Sequence, residues 1–305
     1  MSFARAIITQ PITKVGALAH GFRRLSVSER GFAVFAQIRH VAITSPNYPL
    51  LGKFYEAMFG MNSSGRTPPV GYVAYSDGYV GLNLNPKRDG YIGALDHFGI
   101  VVDDAAEVLR RMQAKHRDAN IVERPSTKPF AAFSGHDPDG NIFDLAQRDT
   151  DRRLDIYAQQ TEEVWHQNRY LNKFAIRTPH AERVAEFYQD VFEFKRLSRN
   201  TPAAGYHLTD GRVTLSILPW SIDLFAGMAV KRPGPDHIGF KVEDLTSFKS
   251  HVTQMIGANS FLRPIELGGG PEADVRLRLL QSVSLGKLQI ADPEGLWLDI
   301  DDGKN

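Results

Sequence analysis

A histidine on one face of an alternating strand, with a carboxylate beside it and acidic residues closing the strand, occurs twice in this chain. The copies are Leu95-Asp96-His97-Phe98-Gly99-Ile100-Val101-Val102-Asp103-Asp104 and Pro235-Asp236-His237-Ile238-Gly239-Phe240-Lys241-Val242-Glu243-Asp244, 140 residues apart (237 minus 97). Imidazole titrates near neutral pH and ligates transition metals, so each copy is a candidate for proton transfer or metal binding. Each is followed by a second signature, Asp137-Pro138-Asp139-Gly140-Asn141-Ile142-Phe143-Asp144 and Asp292-Pro293-Glu294-Gly295-Leu296-Trp297-Leu298-Asp299. Both read as an acidic, proline- and glycine-containing hairpin turn feeding a strand, with an aspartate four residues past the glycine. His136, eight residues before Asp144, is a candidate acid-base group. The plainer alternative is a turn histidine beside Asp137.

Composition removes several classes of chemistry. The 305 residues contain no cysteine, which excludes disulfides, thiolate nucleophiles and cysteine-ligated metals. With 36 basic and 35 acidic residues the net charge is +1, so the overall field offers no argument for nucleic-acid or membrane binding. No apolar run approaches the roughly 20 residues that span a bilayer, and a cytoplasmic protein is expected. Residues 1–28 carry Arg5, Lys14, Arg23 and Arg24 with no acid before Glu29, a composition shared with organelle-targeting segments. Pro11 and Gly16 interrupt any amphipathic run there, and an N-terminal arm packing on the first domain is the favoured expectation. Neither a glycine-rich dinucleotide fingerprint nor a phosphate loop follows a strand; Leu267-Gly268-Gly269-Gly270-Pro271 lacks the lysine and the helix.

The elements that position the histidines repeat as well. Ile38-Arg39-His40-Val41-Ala42-Ile43-Thr44-Ser45-Pro46 reads as a strand ended by proline and matches Leu171-Asn172-Lys173-Phe174-Ala175-Ile176-Arg177-Thr178-Pro179 at a displacement of 133. The same register carries a helical pair, residues 53–59 and 186–192, and two hairpins with central Asp77-Gly78 and Asp210-Gly211 turns. Four units of one strand, one helix and about three strands are therefore predicted, beginning near Ile38, Leu95, Leu171 and Pro235. The domain reading is an arm over 1–35, a first domain over 36–148, a linking helix or arm over 149–169 containing Asp151 to Tyr157, and a second domain over 170–305. An insertion in 257–290, where the displacement grows from 140 to 155 (299 minus 144), holds Gly268-Gly269-Gly270-Pro271 in a loop or flap.

Four βαβββ units in two pairs, with the Asp-His-Phe-Gly-Ile stretch at residues 96–100 and the Asp-Pro-Asp-Gly stretch at 137–140, resemble the vicinal oxygen chelate superfamily. That superfamily includes glyoxalase I, fosfomycin- and bleomycin-resistance proteins and the extradiol ring-cleaving dioxygenases. The resemblance implies an α+β fold in which each pair of units curls into one open cup, with metal ligands on the first and last strands of each unit. In the first half those positions are His40, Asn83, His97 and Asp144; in the second they are Lys173, Ser216, His237 and Asp299.

His40, His97 and Asp144 would then form a two-histidine, one-carboxylate face, a set that suits iron(II) and leaves adjacent positions for substrate and dioxygen. Manganese, zinc or nickel fit the same donors. Asn83 is a poor ligand where glyoxalase-type cups place a carboxylate, which favours oxygen chemistry. Three features depart from the extradiol pattern: Asp144 is one methylene shorter than the usual glutamate, Ser134 and Phe133 stand where a tyrosine is common, and the ligand-bearing half is the N-terminal one. The second cup reads as metal-free, with Lys173 paired to Asp299 or to an acidic ligand, or as a half kept for stability. Tyr72, Tyr75, Tyr79, Phe130 and Phe133 fall on strands expected to line the first cup, and Tyr72, Tyr75, Asn83 and Phe133 are its candidate substrate-pocket residues. Arg148, past Asp144, would pair with a substrate carboxylate or stand solvated at the strand end.

These readings imply an iron(II)-dependent extradiol-type dioxygenase acting on a catechol-like or other small molecule with neighbouring oxygens. The alternatives are a metal-dependent isomerase, lyase or hydrolase with His136 as base, and a non-catalytic small-molecule binding protein. A homodimer is a further expectation.

Overall fold

The computed structural model describes residues 35–64, 71–90, 93–124, 130–157, 167–197, 204–223, 232–266 and 286–304. The N-terminal segment with its targeting-like composition, Thr161 to Trp165 and the Gly268-Gly269-Gly270-Pro271 loop lie outside them. Within the described residues no helix is long and apolar enough to cross a membrane.

Each half is one eight-stranded mixed sheet. The first contains β1 (Ala36–Ser45), β2 (Asn62–Ser63), β3 (Val73–Ser76), β4 (Gly81–Pro86), β5 (Ala94–Val102), β6 (Asn120–Glu123), β7 (Phe133–His136) and β8 (Ile142–Gln147). The second contains β9 (Tyr170–Thr178), β10 (Lys195–Arg196), β11 (Tyr206–Thr209), β12 (Thr214–Pro219), β13 (Gly234–Lys241), β14 (Ile265–Glu266), β15 (Leu288–Ala291) and β16 (Trp297–Asp301). Their orders, β2-β3-β4-β1-β5-β8-β7-β6 and β10-β11-β12-β9-β13-β16-β15-β14, are the same order repeated. The α+β class and the tandem pairing of units are those anticipated from the repeats.

Four helices, α1 (Tyr48–Phe59), α2 (Ala105–Lys115), α3 (Ala181–Phe192) and α4 (Leu245–Ala258), follow the first strand of each unit. The acidic residues that close the histidine strands have a mechanical purpose. Asp104 accepts hydrogen bonds from the backbone N–H of Ala106 and Glu107 at 2.9 and 3.1 Å, and Asp244 accepts from Ser247 at 2.9 Å. Each caps the free N–H groups of the helix that the strand feeds.

Alternation sends one set of strand side chains toward the helices and the other toward the open face of the sheet. Ile38, Leu82, Phe98, Phe143, Phe174, Leu215, Phe240 and Leu298 belong to the first set, in one continuous buried core that spans both halves. Phe59 on α1 stacks at 3.8 Å on Phe240 of the second sheet. Asp77 accepts from the Leu171 N–H at 2.8 Å and Asp210 from the Ile38 N–H at 2.6 Å. Each half's hairpin turn thus holds the first strand of the other half. The described residues form one compact unit.

Candidate metal centre

The centre is built around an absent side chain. Gly99 on β5 pairs with His40 on β1 to one side and with Asp144 on β8 to the other. A Cβ added at Gly99 would stand 1.8 Å from His40 Cε1, so only glycine leaves room for that imidazole. His97, two residues earlier on the same strand face, completes the group. The Nε2 atoms of His40 and His97 lie 3.6 and 3.2 Å from Asp144 Oδ2, and the three potential ligand atoms all fall within 4.8 Å of one another.

A local irregularity aims His97. The β1–β5 register steps from Ala42 opposite His97 to Ile43 opposite Leu95, leaving Asp96 as the extra residue of a bulge. Leu95 consequently enters the core while His97 enters the cup, and Asp96 is left beside the ring. His97 Nδ1 donates to Asp96 Oδ2 at 2.7 Å, which fixes Nε2 as the nitrogen facing inward. Such a carboxylate behind an imidazole orients metal-ligating histidines generally.

Among the described residues, both His40 nitrogens, His97 Nε2 and Asp144 Oδ2 are buried without a hydrogen-bond partner. Buried polar atoms are normally satisfied, so three unmet ones, one from each residue, within 4.8 Å of one another call for a ligand. Two neutral nitrogens and one carboxylate oxygen are the donor set of a divalent transition metal, and the residues fit such an ion. Arg124 Nη1 donates to Asp144 Oδ1, which turns the other oxygen, Oδ2, toward the histidines. The electrostatics of the two histidines differ. Burial is the largest influence on His40 and pushes its pKa down to about 4, leaving it neutral despite Asp144. Burial alone would also lower His97, but the Asp144 and Asp96 carboxylates outweigh it and push its pKa up to about 9. Burial opposes ionisation of Asp144 too, yet His40 and His97 hold its carboxyl well below the usual carboxylate range. Without an ion, a proton on His97 therefore supplies the positive charge.

The fourth position is occupied in another way. Asn83 on β4 is fully buried and accepts at Oδ1 from the Tyr157 hydroxyl at 2.6 Å. Tyr157 comes from the segment after β8, where a 3₁₀ turn at Arg153–Asp155 is pinned by Arg153 Nη1 donating to the Arg39 carbonyl at 3.1 Å. It settles over Gly81, where a Cβ would meet its ring at 2.3 Å. With Tyr72, Ala74, Phe130 and Ala131 it forms a separate buried cluster on the cup side, and the Phe130 ring meets His40 edge-on at 5.0 Å.

The aromatic expectations divide by strand face. Tyr72 and Phe130 stand beside the site. Tyr75 is corrected: its ring packs under Gly52 of α1 in the core, where an added Cβ would meet it at 2.4 Å. Phe133 packs on the same core, and Tyr79 lies under the Arg39 guanidinium at 4.1 Å. Strand parity decides Tyr75 and Phe133, whereas Tyr79 lies in the turn between β3 and β4. His136 pairs with Ile142 on the cup side of β7, one cross-strand step from the Ser134–Asp144 pair, and its Nδ1 donates to the Asp137 carbonyl at 2.9 Å. Arg148 is engaged by Asp103 at 2.9 Å and by Gln37 at 3.1 Å. Arg124 and Tyr157 were not anticipated; only the basic charge at the end of β6 and an aromatic in the connecting segment hinted at them.

In the second cup Lys173 stands where His40 does, opposite Gly239. Its ammonium pairs with Asp299 at 2.5 Å, one of the two partners the sequence offered. The bulge recurs, with Asp236 as the extra residue and its Oδ2 accepting from His237 Nδ1 at 2.7 Å.

A family model described as Glyoxalase/Bleomycin resistance protein/Dioxygenase superfamily matches residues 37–145. No curated protein matches the chain by sequence. Among solved structures, the Mn(II)-bound glyoxalase from Novosphingobium aromaticivorans is similar with a TM-score of 0.58 and 14% identity, over 87% of this chain and 81% of that one. The 2,3-dioxygenase LapB from Pseudomonas sp. KL28 is similar with a TM-score of 0.58 and 14% identity, over 90% and 94%. Homoprotocatechuate 2,3-dioxygenase from Arthrobacter globiformis gives a TM-score of 0.55 and 16% identity, over 87% and 78%. The first half thus matches the glyoxalase, bleomycin-resistance and dioxygenase superfamily model, and the repeated sheet order and the similar solved structures show the vicinal-oxygen-chelate fold present twice in tandem.

Proposed function

We propose that the chain is a non-haem iron(II)-dependent dioxygenase of extradiol type acting on a catechol-like small molecule, with His40, His97 and Asp144 holding the metal. The observation that carries this reading is the convergence of three buried, hydrogen-bond-free ligand atoms at a site whose fourth position, Asn83, is already bound to Tyr157. Iron(II), when bound by such a triad, supplies redox chemistry at a face open to two substrate oxygens and to dioxygen. Asp96 keeps the His97 lone pair pointed inward, and Arg124 keeps one Asp144 oxygen committed to the site. Tyr72, Phe130 and Tyr157 exclude water and offer flat apolar surface to a planar ring. His136 donates through Nδ1 to the Asp137 carbonyl, which leaves Nε2 as its proton-exchanging nitrogen; in this proposal it receives a proton from the substrate hydroxyl.

The likeness to a Mn(II)-bound glyoxalase supports a second reading, in which the same three ligands hold a divalent ion as a Lewis acid for an isomerase, lyase or hydrolase. Protein purified without oxygen and loaded with iron(II) separates the two. Oxygen uptake on addition of catechols, lost in His40→Ala and Asp144→Ala, is the expected result. One bound metal per chain without oxygen uptake across a catechol panel favours the second reading, and failure to bind any divalent ion overturns both.

A further inference from the structure

Among the described residues, the ring nitrogens His237 Nε2 and Trp297 Nε1 of the second cup are buried without a hydrogen-bond partner. His237 is 1% exposed; its Nδ1 donates to Asp236 Oδ2 at 2.7 Å, and Asp236 is itself held by Arg177 at 2.8 Å. That leaves His237 Nε2 as a lone-pair acceptor, and it has no partner. Trp297 Nε1, a donor and never an acceptor, is likewise buried without a partner. The register of β13 and β16 makes His237 and Trp297 neighbours on the cup face, with ring centroids 5.2 Å apart.

The surrounding charges cancel. Lys173 and Asp299 neutralise each other at 2.5 Å, and Asp299 Oδ1 also accepts from the Gly286 N–H and the Gln289 amide at 2.8 and 3.0 Å. His207 bonds Ser216 at 2.9 Å. Burial, with Lys173 second, pushes its pKa down to about 4, so it adds no charge. An ammonium fixed at the position of His40 repels a metal ion, and the paired carboxylate leaves no excess positive charge for an anion.

We propose that the second cup is a metal-independent binding site for a neutral, hydroxyl-bearing small molecule. One hydroxyl meets both unmet requirements, donating its proton to His237 Nε2 and accepting from Trp297 Nε1. The inference is independent of the metal chemistry assigned to the first cup.

The test is calorimetric titration of the full chain, stripped of metal by a chelator, with phenol as the probe. One saturable equivalent per chain is expected, weakened at least tenfold in both Trp297→Phe and His237→Leu and unchanged in His40→Ala. Trp297→Phe keeps a flat apolar ring and removes only the donor, so it remains informative if His237→Leu misfolds. Absence of saturable binding to the metal-free wild type, affinity unchanged in Trp297→Phe, or binding abolished by His40→Ala would each overturn the proposal. A phenol-soaked crystal holding only a water between His237 and Trp297 would overturn it as well.

Discussion

The Tyr55 hydroxyl on α1 donates to Asp292 Oδ2 at 3.0 Å across 237 residues of sequence, and Tyr188 on α3 donates to Asp137 Oδ2 at 3.3 Å in the mirrored position. The first aspartate of each acidic hairpin turn therefore receives a tyrosine from the opposite half. It also orders its own turn, since Asp292 Oδ1 accepts from Glu294 and Leu296 N–H at 2.9 Å each. The turns bring the halves together: Ser45 donates to Glu294 at 2.6 Å, and Thr178 repeats the contact on Asp139.

These interlocking carboxylates give stability a definite pH dependence. Burial, the largest influence, pushes Asp292 up to about 6 from its ordinary value of 3.8. A folded pKa above the unfolded one means that the stabilisation is complete below about pH 4 and is lost as pH rises through about 6. Asp292→Asn should remove this share, roughly 2–3 kcal/mol at most at about 1.4 kcal/mol per pKa unit. Denaturant midpoints of wild type and variant between pH 4 and 7.5 test it: the wild-type minus variant difference should fall as pH rises, and a constant difference would contradict the assignment.

Gly99→Ala should empty the metal centre without unfolding the protein. Its Cβ must displace the His40 ring, while the strand backbone on both sides stays paired. Cobalt(II) or iron(II) affinity should drop at least about tenfold, in line with the 10–100-fold losses typical when the support of a ligand is disturbed. Circular dichroism should be unchanged. Retained metal affinity would show that His40 is not a ligand.

Metal uptake should release protons. The Asp144 and Asp96 carboxylates overcome burial to raise His97 to about 9, so an ion arriving at pH 7.5 must expel a proton from that ring. Titration calorimetry in buffers of different ionisation enthalpy should find about one proton released per ion. Affinity should rise with pH and level off above about 9. No proton release at pH 7.5 would mean that His97 is already neutral.

Lys173→His should create a second metal site. The substitution places an imidazole opposite Gly239, beside His237 and the Asp299 oxygen freed from its lysine. Metal stoichiometry should rise from one to two equivalents per chain, measured by elemental analysis after reconstitution. One equivalent in a folded variant would mean that the second cup has lost more than a ligand.

The sequence by itself determined the repeat. Displacements of 133 and 140 residues, alternating strands, helix-spaced apolar residues and acidic glycine turns are local patterns, and they were enough to specify four units, their pairing and the α+β class. His40, His97 and Asp144 were singled out by the resemblance that these patterns carry to the vicinal oxygen chelate superfamily, whose ligand positions lie on the first and last strands of each unit. Tertiary structure decided what those places mean. Only strand pairing sets Gly99 between His40 and Asp144, and only a one-residue bulge at Asp96 turns His97 into the cup while Leu95 enters the core. Strand parity sets which face each aromatic takes, and β3, short and apolar across Val73, Ala74 and Tyr75, does not mark its face in the sequence. Tyr75 and Phe133 therefore went to the core, whereas Tyr157, from a segment with no strand pattern at all, closed the cup. Arg124, 20 residues before the carboxylate it steadies, became a partner through a hairpin whose register depends on the whole sheet.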